Sequence, residues 1–338
     1  MIQYLHPNPL PSLIVHADWS TNPQKRIMAR AVKNHKGSYT VKQPEMVGDL
    51  NSFFSRLKAD VDPGGCILVG FDFPIGIPLT YARAAGLTSF LSALPKFGRK
   101  DWADFYLVAE TPNQIHLKRP FYPNRAGSAR RFHLLDGLGF DDLNSLFRLC
   151  EHGREGRRTA CPLFWTLGPQ QVGKAAISGW NEVLVPALGS DLEETERSHP
   201  LRIWPFSGSL QELLQTEALI VAETYPPEFY THFKLNFKNP ITGKPSGKRD
   251  QVVRASNAGI LISIANILEI QLEPALRADL LSGFGPSQSG EDTFDAIIGL
   301  LGMLNILSGK RPFDDPDDFD IRHIEGWIFG QLRNQDHV

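Results

Sequence analysis

Cysteine, net charge and long apolar runs are all scarce in this sequence, and each scarcity removes a class of protein. The three cysteines, Cys66, Cys150 and Cys161, stand far apart among 338 residues, which leaves neither a disulfide framework nor a C-x-x-C zinc pair. They read as free thiols and point to a reducing, cytoplasmic compartment. Lysine and arginine number 35 against 37 acidic residues, and the resulting formal charge of −2 names no partner by itself. The longest apolar stretches, near 259–270 and 296–307, fall short of the roughly 20 residues that span a bilayer. No basic region precedes an apolar one at the N-terminus, so neither secretion nor membrane insertion is expected. Internal repeats and low-complexity tracts are missing too. A hydrophobic content of 42% with 21% charged residues suits a folded chain of one large or two smaller domains.

The order of apolar segments predicts an α/β fold. Residues 12–17 (SLIVHA) read as a buried strand. Residues 26–33 and 38–43 read as shorter alternating strands around the turn-prone Asn34-His35-Lys36-Gly37. A helix over 47–59 places Leu50, Phe53, Phe54 and Leu57 on one face, and 66–71 (CILVGF) follows as a central strand parallel to the first. From 84 to 199 the chain is more polar and basic, with helical patterns at 141–150 and 170–188, and reads as a large, mainly helical insertion or substrate-binding subdomain. Strand character returns at 201–205 and 218–223 (ALIVAE), ahead of long helices over 249–270 and 292–307. The core, 1–83 with 200–338, is thus expected to be a mixed sheet flanked by helices.

Three apolar segments each end in an acid: Asp18, Asp72 and Glu223. Parallel strands present their C-terminal ends on one edge of an open sheet, where ligands bind. The last helix adds Asp292 and Asp295, three apart and therefore on one helical face. Each has a structural explanation as well: Asp292 and Asp295 as groups at a helix N-terminus, Asp72 as a turn-organising residue, Asp18 and Glu223 as partners of a distant cation. Carboxylates packed closely need a cation to offset their repulsion. Oxygen ligands of this kind favour Mg²⁺ or Mn²⁺, and two such ions can promote in-line displacement at a phosphodiester. On this reading Asp18, Asp72, Asp292 and Asp295 are metal ligands, and Glu223 joins them as a catalytic acid.

Four motifs, Phe71-Asp72-Phe73-Pro74-Ile75-Gly76-Ile77-Pro78, Glu223-Thr224-Tyr225-Pro226, Asp292-Thr293-Phe294-Asp295-Ala296 and Glu325-Gly326-Trp327-Ile328, occur in the order found in the domain-of-unknown-function family 429. The chain resembles that family of predicted ribonuclease H-like nucleases over residues 12–83 and 200–332. The resemblance implies a ribonuclease H-like fold, and it matches Asp18, Asp72, Asp292 and Asp295 to the first-strand, central-strand and last-helix acids of resolvase-type members. It places Glu223 as an additional acid. This sequence departs from the pattern by carrying His16 where the first strand usually has glycine, and by placing the indole of Trp19 beside Asp18. Core filling is the expected role for Trp19, and stacking on a base the alternative.

Two basic segments suggest a nucleic-acid partner, DNA or RNA. Residues 118–133 contain Lys118, Arg119, Arg125, Arg130 and Arg131 without an acid, interleaved with Phe121, Tyr122 and Phe132, a composition suited to a single strand. Residues 234–254 contain six basic residues, Lys248 and Arg249 among them, against Asp250 alone. A solvated surface is the plainer explanation of both. The acidic run 314–320 reads as a solvated turn. Gly168 to Lys174 is discounted as a phosphate loop because Ala175 follows where Ser or Thr is needed. The sequence therefore predicts a metal-dependent nuclease, with a non-catalytic binding scaffold as the rival and a sugar or acetate kinase as a weaker third.

Overall fold

The computed structural model describes residues 3–4, 10–154, 156–168, 172–193, 199–286 and 289–333. Eight strands form one mixed sheet: β1 (Leu13–Asp18), β2 (Ile27–Lys33), β3 (Tyr39–Val41), β4 (Glu45–Met46), β5 (Ile67–Phe71), β6 (Leu201–Ile203), β7 (Leu219–Glu223) and β8 (Gln271–Leu272). Their order is β6-β7-β5-β1-β2-β3-β8, with β4 pairing on β2. β1, β5, β7 and β6 run parallel, whereas β1, β2 and β3 form an antiparallel meander. The central segments are apolar along their whole length because both faces of the sheet are covered by core. The expected parallel pairing of β5 with β1 is present, in the register Leu13↔Ile67 through Ala17↔Phe71.

Several helices differ from the pattern expected of them. The segment read as a helix over 47–59 is helical at Phe53–Ala59. Ahead of it, Asp49 accepts hydrogen bonds from the backbone and hydroxyl of Ser52 and holds the chain in a turn. The stretch 141–150 is two short 3-10 turns, Leu143–Leu146 and Leu149–Glu151, with Asp142 capping the first. Residues 170 and 171 lie outside the described residues; the helix expected there runs Val172–Gly179, passes through a π turn at Trp180–Leu184 and continues to Glu193. The long helix over 249–270 is split into Gln251–Ser256 and Ala258–Ile267. Asn257 causes the break by bonding both the N–H and the C=O of Asn236 through its side-chain amide. In the acidic run, Asp315 is more than a solvated group, since it accepts from the Trp204 indole at 2.8 Å and from Leu210 N at 2.6 Å.

The last long helix, Ser289–Leu307, packs across β1 and β2. His16 projects from β1 into that helix and is fully buried, with burial pushing its imidazole pKa down to about 3. Gly299 makes room for it: a Cβ there would sit 2.2 Å from the ring. The bulk of the ring on the strand is therefore matched by the missing side chain on the helix. Gly299→Ala should cost about 1–3 kcal/mol in chemical denaturation through overpacking, and adding His16→Gly should recover most of it. An equal loss in the double variant would show that the ring is not what the new methyl meets.

Candidate functional site

The pleat sorts the acids. Ala17 pairs with Phe71, and Phe71 with Glu223, so one step further along puts Asp18 level with Asp72. Alternate residues of a strand point to opposite faces. Ile14 and Leu68 lie in the core beneath the last helix, and Asp18 and Asp72, an even number of residues beyond them, face that same side. Phe71, level with Glu223, packs in the opposite core. Thus Asp18 and Asp72 point toward the last helix and Glu223 points away from it.

Asp295, on that helix, is 2% exposed and Asp18 8%. Burial, then the charges of Asp72 and Asp295, hold the Asp18 carboxyl well above the usual carboxylate range. Burial likewise pushes Asp72 up to about 7, with Asp295 adding to the rise and the Trp19 N–H opposing it. That N–H donates to Asp72 Oδ1 at 2.5 Å. The neighbouring Asp18 side chain also opposes the rise at Asp72. Asp292, half-buried in the first turn of the helix rather than capping it, is pushed up to about 6, mainly by burial. The structure therefore gathers Asp18, Asp72 and Asp295, with Asp292 at the margin.

Two residues that sequence reasoning did not place here complete the cluster. The Tyr230 hydroxyl donates to Asp295 Oδ1. Lys248, expected on a nucleic-acid surface, instead turns its ammonium onto Asp295 Oδ2, with Glu291 Oε1 3.4 Å away. Burial works against this ammonium, but Asp295 and Asp18 outweigh it and hold Lys248 charged. Among the described residues, no group of three or more His, Cys, Asp or Glu side chains is arranged to hold a metal ion. The Lys248 ammonium is a positive charge set among the carboxylates, and Lys25 acts on Asp292.

Glu223 belongs to a different buried network on the other face. Its two oxygens accept from both terminal nitrogens of Arg148 at 2.7 Å, and Oε2 also accepts from Ile75 N at 2.6 Å. Arg148 further bonds Glu151 and the carbonyls of Ile75 and Glu325. The Glu325 carboxylate takes the N–H groups of Leu79 and Leu149. Here the backbones touch: a Cβ on Gly76 would lie 2.0 Å from the Glu325 carbonyl oxygen, and one on Gly326 2.1 Å from that of Ile75. Both glycines adopt positive φ, where a side chain would be strained as well as obstructed. The motif after β5 and the Glu325-Gly326-Trp327 motif are thus joined for structural reasons, and Glu223 anchors the loop that follows Asp72 without sharing its site.

The basic segments are partly absorbed by the fold. Phe121 and Tyr122 are buried and only Phe132 is exposed, so the expected alternation of bases with aromatic rings is not present on the surface. Arg119 bonds the carbonyls of Leu107 and Val108, and Arg131 lies over Trp165 and donates to Cys161 Sγ. Lys118, Arg125 and Arg130 are exposed. Arg249 is exposed beside Glu291. Trp19 fills the core, edge-on to Phe71 and Phe73, with the Arg26 guanidinium over its ring. The three cysteines are free, and among the described residues no helix is long and apolar enough to cross a membrane. Compared with protein-family models, with curated proteins and with solved structures, the chain matches none.

Proposed function

We propose that this chain is a Mg²⁺- or Mn²⁺-dependent phosphodiesterase acting on nucleic acid, built on a ribonuclease H-like scaffold with residues 84–199 inserted. The observation that carries the reading is the gathering of Asp18, Asp72 and Asp295 at one edge of the parallel strands, where burial first and neighbouring carboxylate charge second hold the Asp18 and Asp72 carboxyls above their ordinary range. The donor type, though not the present arrangement with Lys248 on Asp295, suits a hard divalent cation, which favours carboxylate oxygens and would offset their mutual repulsion. Asp18 and Asp72 would hold it, with Asp295 or Asp292 completing the set once Lys248 withdraws. Bound there, a divalent ion polarises a phosphoryl oxygen and lowers the pKa of water. Tyr230 orients Asp295, and the Glu223–Arg148 pair fixes the loop behind Asp72.

The Lys248–Asp295 ion pair favours a second reading, in which the acids are a structural knot in a non-catalytic nucleic-acid- or protein-binding scaffold. Thermal melts and cleavage of a labelled single-stranded oligonucleotide, each in EDTA, Mg²⁺ and Mn²⁺, separate the two. The phosphodiesterase should be stabilised by metal through mass action and should cleave only in its presence. A protein indifferent to millimolar metal in both measurements is the scaffold.

A further inference from the structure

A strand delivered to these carboxylates needs a surface that carries its neighbouring nucleotide, and a cavity of about 450 Å³ lies beside them. Tyr230 is the shared wall: it lines the cavity and its hydroxyl reaches Asp295. The other walls combine Arg157, Arg158 and Lys234 with Tyr225 and Phe237, and among the described residues no acidic side chain lines the cavity. Arg157 is buried. It is held by Glu228 and by the carbonyls of Cys150 and His152, and its guanidinium sits 5.5 Å over the Tyr225 ring. Arg158 and Lys234 are exposed. The volume falls at the lower end of small-ligand sites and suits a nucleotide rather than a duplex. Cations supply phosphate contacts and aromatic faces take bases without regard to sequence.

We infer that this cavity binds one nucleotide of a single-stranded nucleic acid, with its phosphate on Arg158 and Lys234 and its base against Tyr225, next to the strand position held at the carboxylates. The inference rests on the phosphodiesterase reading and deepens it by naming the form of substrate. Because the cavity and the acids adjoin through one side chain, a strand occupying both runs on beyond a single nucleotide.

The test is fluorescence anisotropy of a labelled eight-nucleotide oligothymidylate in EDTA over a range of salt, for wild type, Arg158→Ala/Lys234→Gln, Tyr225→Ala and Tyr225→Phe. The double variant should bind at least about tenfold more weakly and lose about 1.4 from its log–log salt slope, since a single strand releases about 0.7 ion per phosphate contact. Tyr225→Ala should weaken binding about fivefold or more, and Tyr225→Phe, which keeps the ring face, should not. Wild-type affinity and slope in the double variant would overturn the inference, as would displacement of the probe by thymidine monophosphate at the same concentration as by unlabelled oligomer. Mn²⁺-induced stabilisation of the same proteins is read in parallel. If the double variant loses oligomer binding while even wild type ignores Mn²⁺, the cavity stands and the hydrolytic reading falls. If Mn²⁺ stabilises both proteins equally and oligomer binding is unchanged, the hydrolytic reading stands and the cavity falls.

Discussion

Asp72→Asn should melt at or above the wild-type temperature in chelator at pH 8, lose most of the stabilisation that Mn²⁺ gives the wild type, and cleave at least about a hundredfold more slowly. Asn is nearly isosteric and can still accept the Trp19 N–H, so the change is one of charge. With its folded pKa near 7 against an ordinary value near 3.8, Asp72 binds more proton in the folded than in the unfolded chain. Stability therefore falls as pH rises from about 4 to about 7, and the full cost remains above that window. The displacement corresponds to about 4 kcal/mol, an upper value because Asp72 is partly exposed. The variant should show a flatter profile across that window. His16, whose depressed pKa gives the opposite dependence, is common to both proteins and cancels in the difference. A variant that is destabilised in chelator, in a protein that never responds to metal, would mean that Asp72 serves the loop alone.

Arg148→Met should be the most destabilising single change on the opposite face, costing about 3–5 kcal/mol, because it strands carboxylates that the guanidinium neutralises. Arg148 is fully buried and Glu223 is 4% exposed, and their contact is two-pronged, with each terminal nitrogen on its own oxygen. Methionine fills much of the volume but its side chain offers Glu223 and Glu151 no donor, leaving Glu151 only the backbone N–H of residue 148, and the carbonyls of Ile75 and Glu325 also lose theirs. Urea unfolding measures the cost, and a loss below about 1 kcal/mol would show that the pair adds nothing net. Glu223→Gln, by contrast, should leave the Mn²⁺ response intact, since Glu223 does not face the metal ligands; loss of that response would place it among them.

The sequence by itself determined the central strands, their parallel relation and the placing of Asp18 and Asp72 side by side. Fully apolar segments that each end in an acid become neighbours once they pair in parallel. The helical periodicity likewise put Asp292 and Asp295 near one another. Tertiary structure alone decided which acids meet. Glu223 closes its apolar segment much as Asp18 and Asp72 close theirs, yet it is level with Phe71, one residue before Asp72, and with a side-chain period of two that single step turns it to the other face. The pattern of apolar residues cannot resolve one step where a strand is buried on both sides. Its partner Arg148 is 75 residues away in a segment of 3-10 turns, and the partners of Asp295, Tyr230 and Lys248, arrive from separate elements. No local periodicity records such contacts, because they follow from how loops cross the edge of a finished sheet. The same is true of the basic segments, where composition identified the cations but only packing decided that Phe121 and Tyr122 go inside and that Lys248 turns toward the acids.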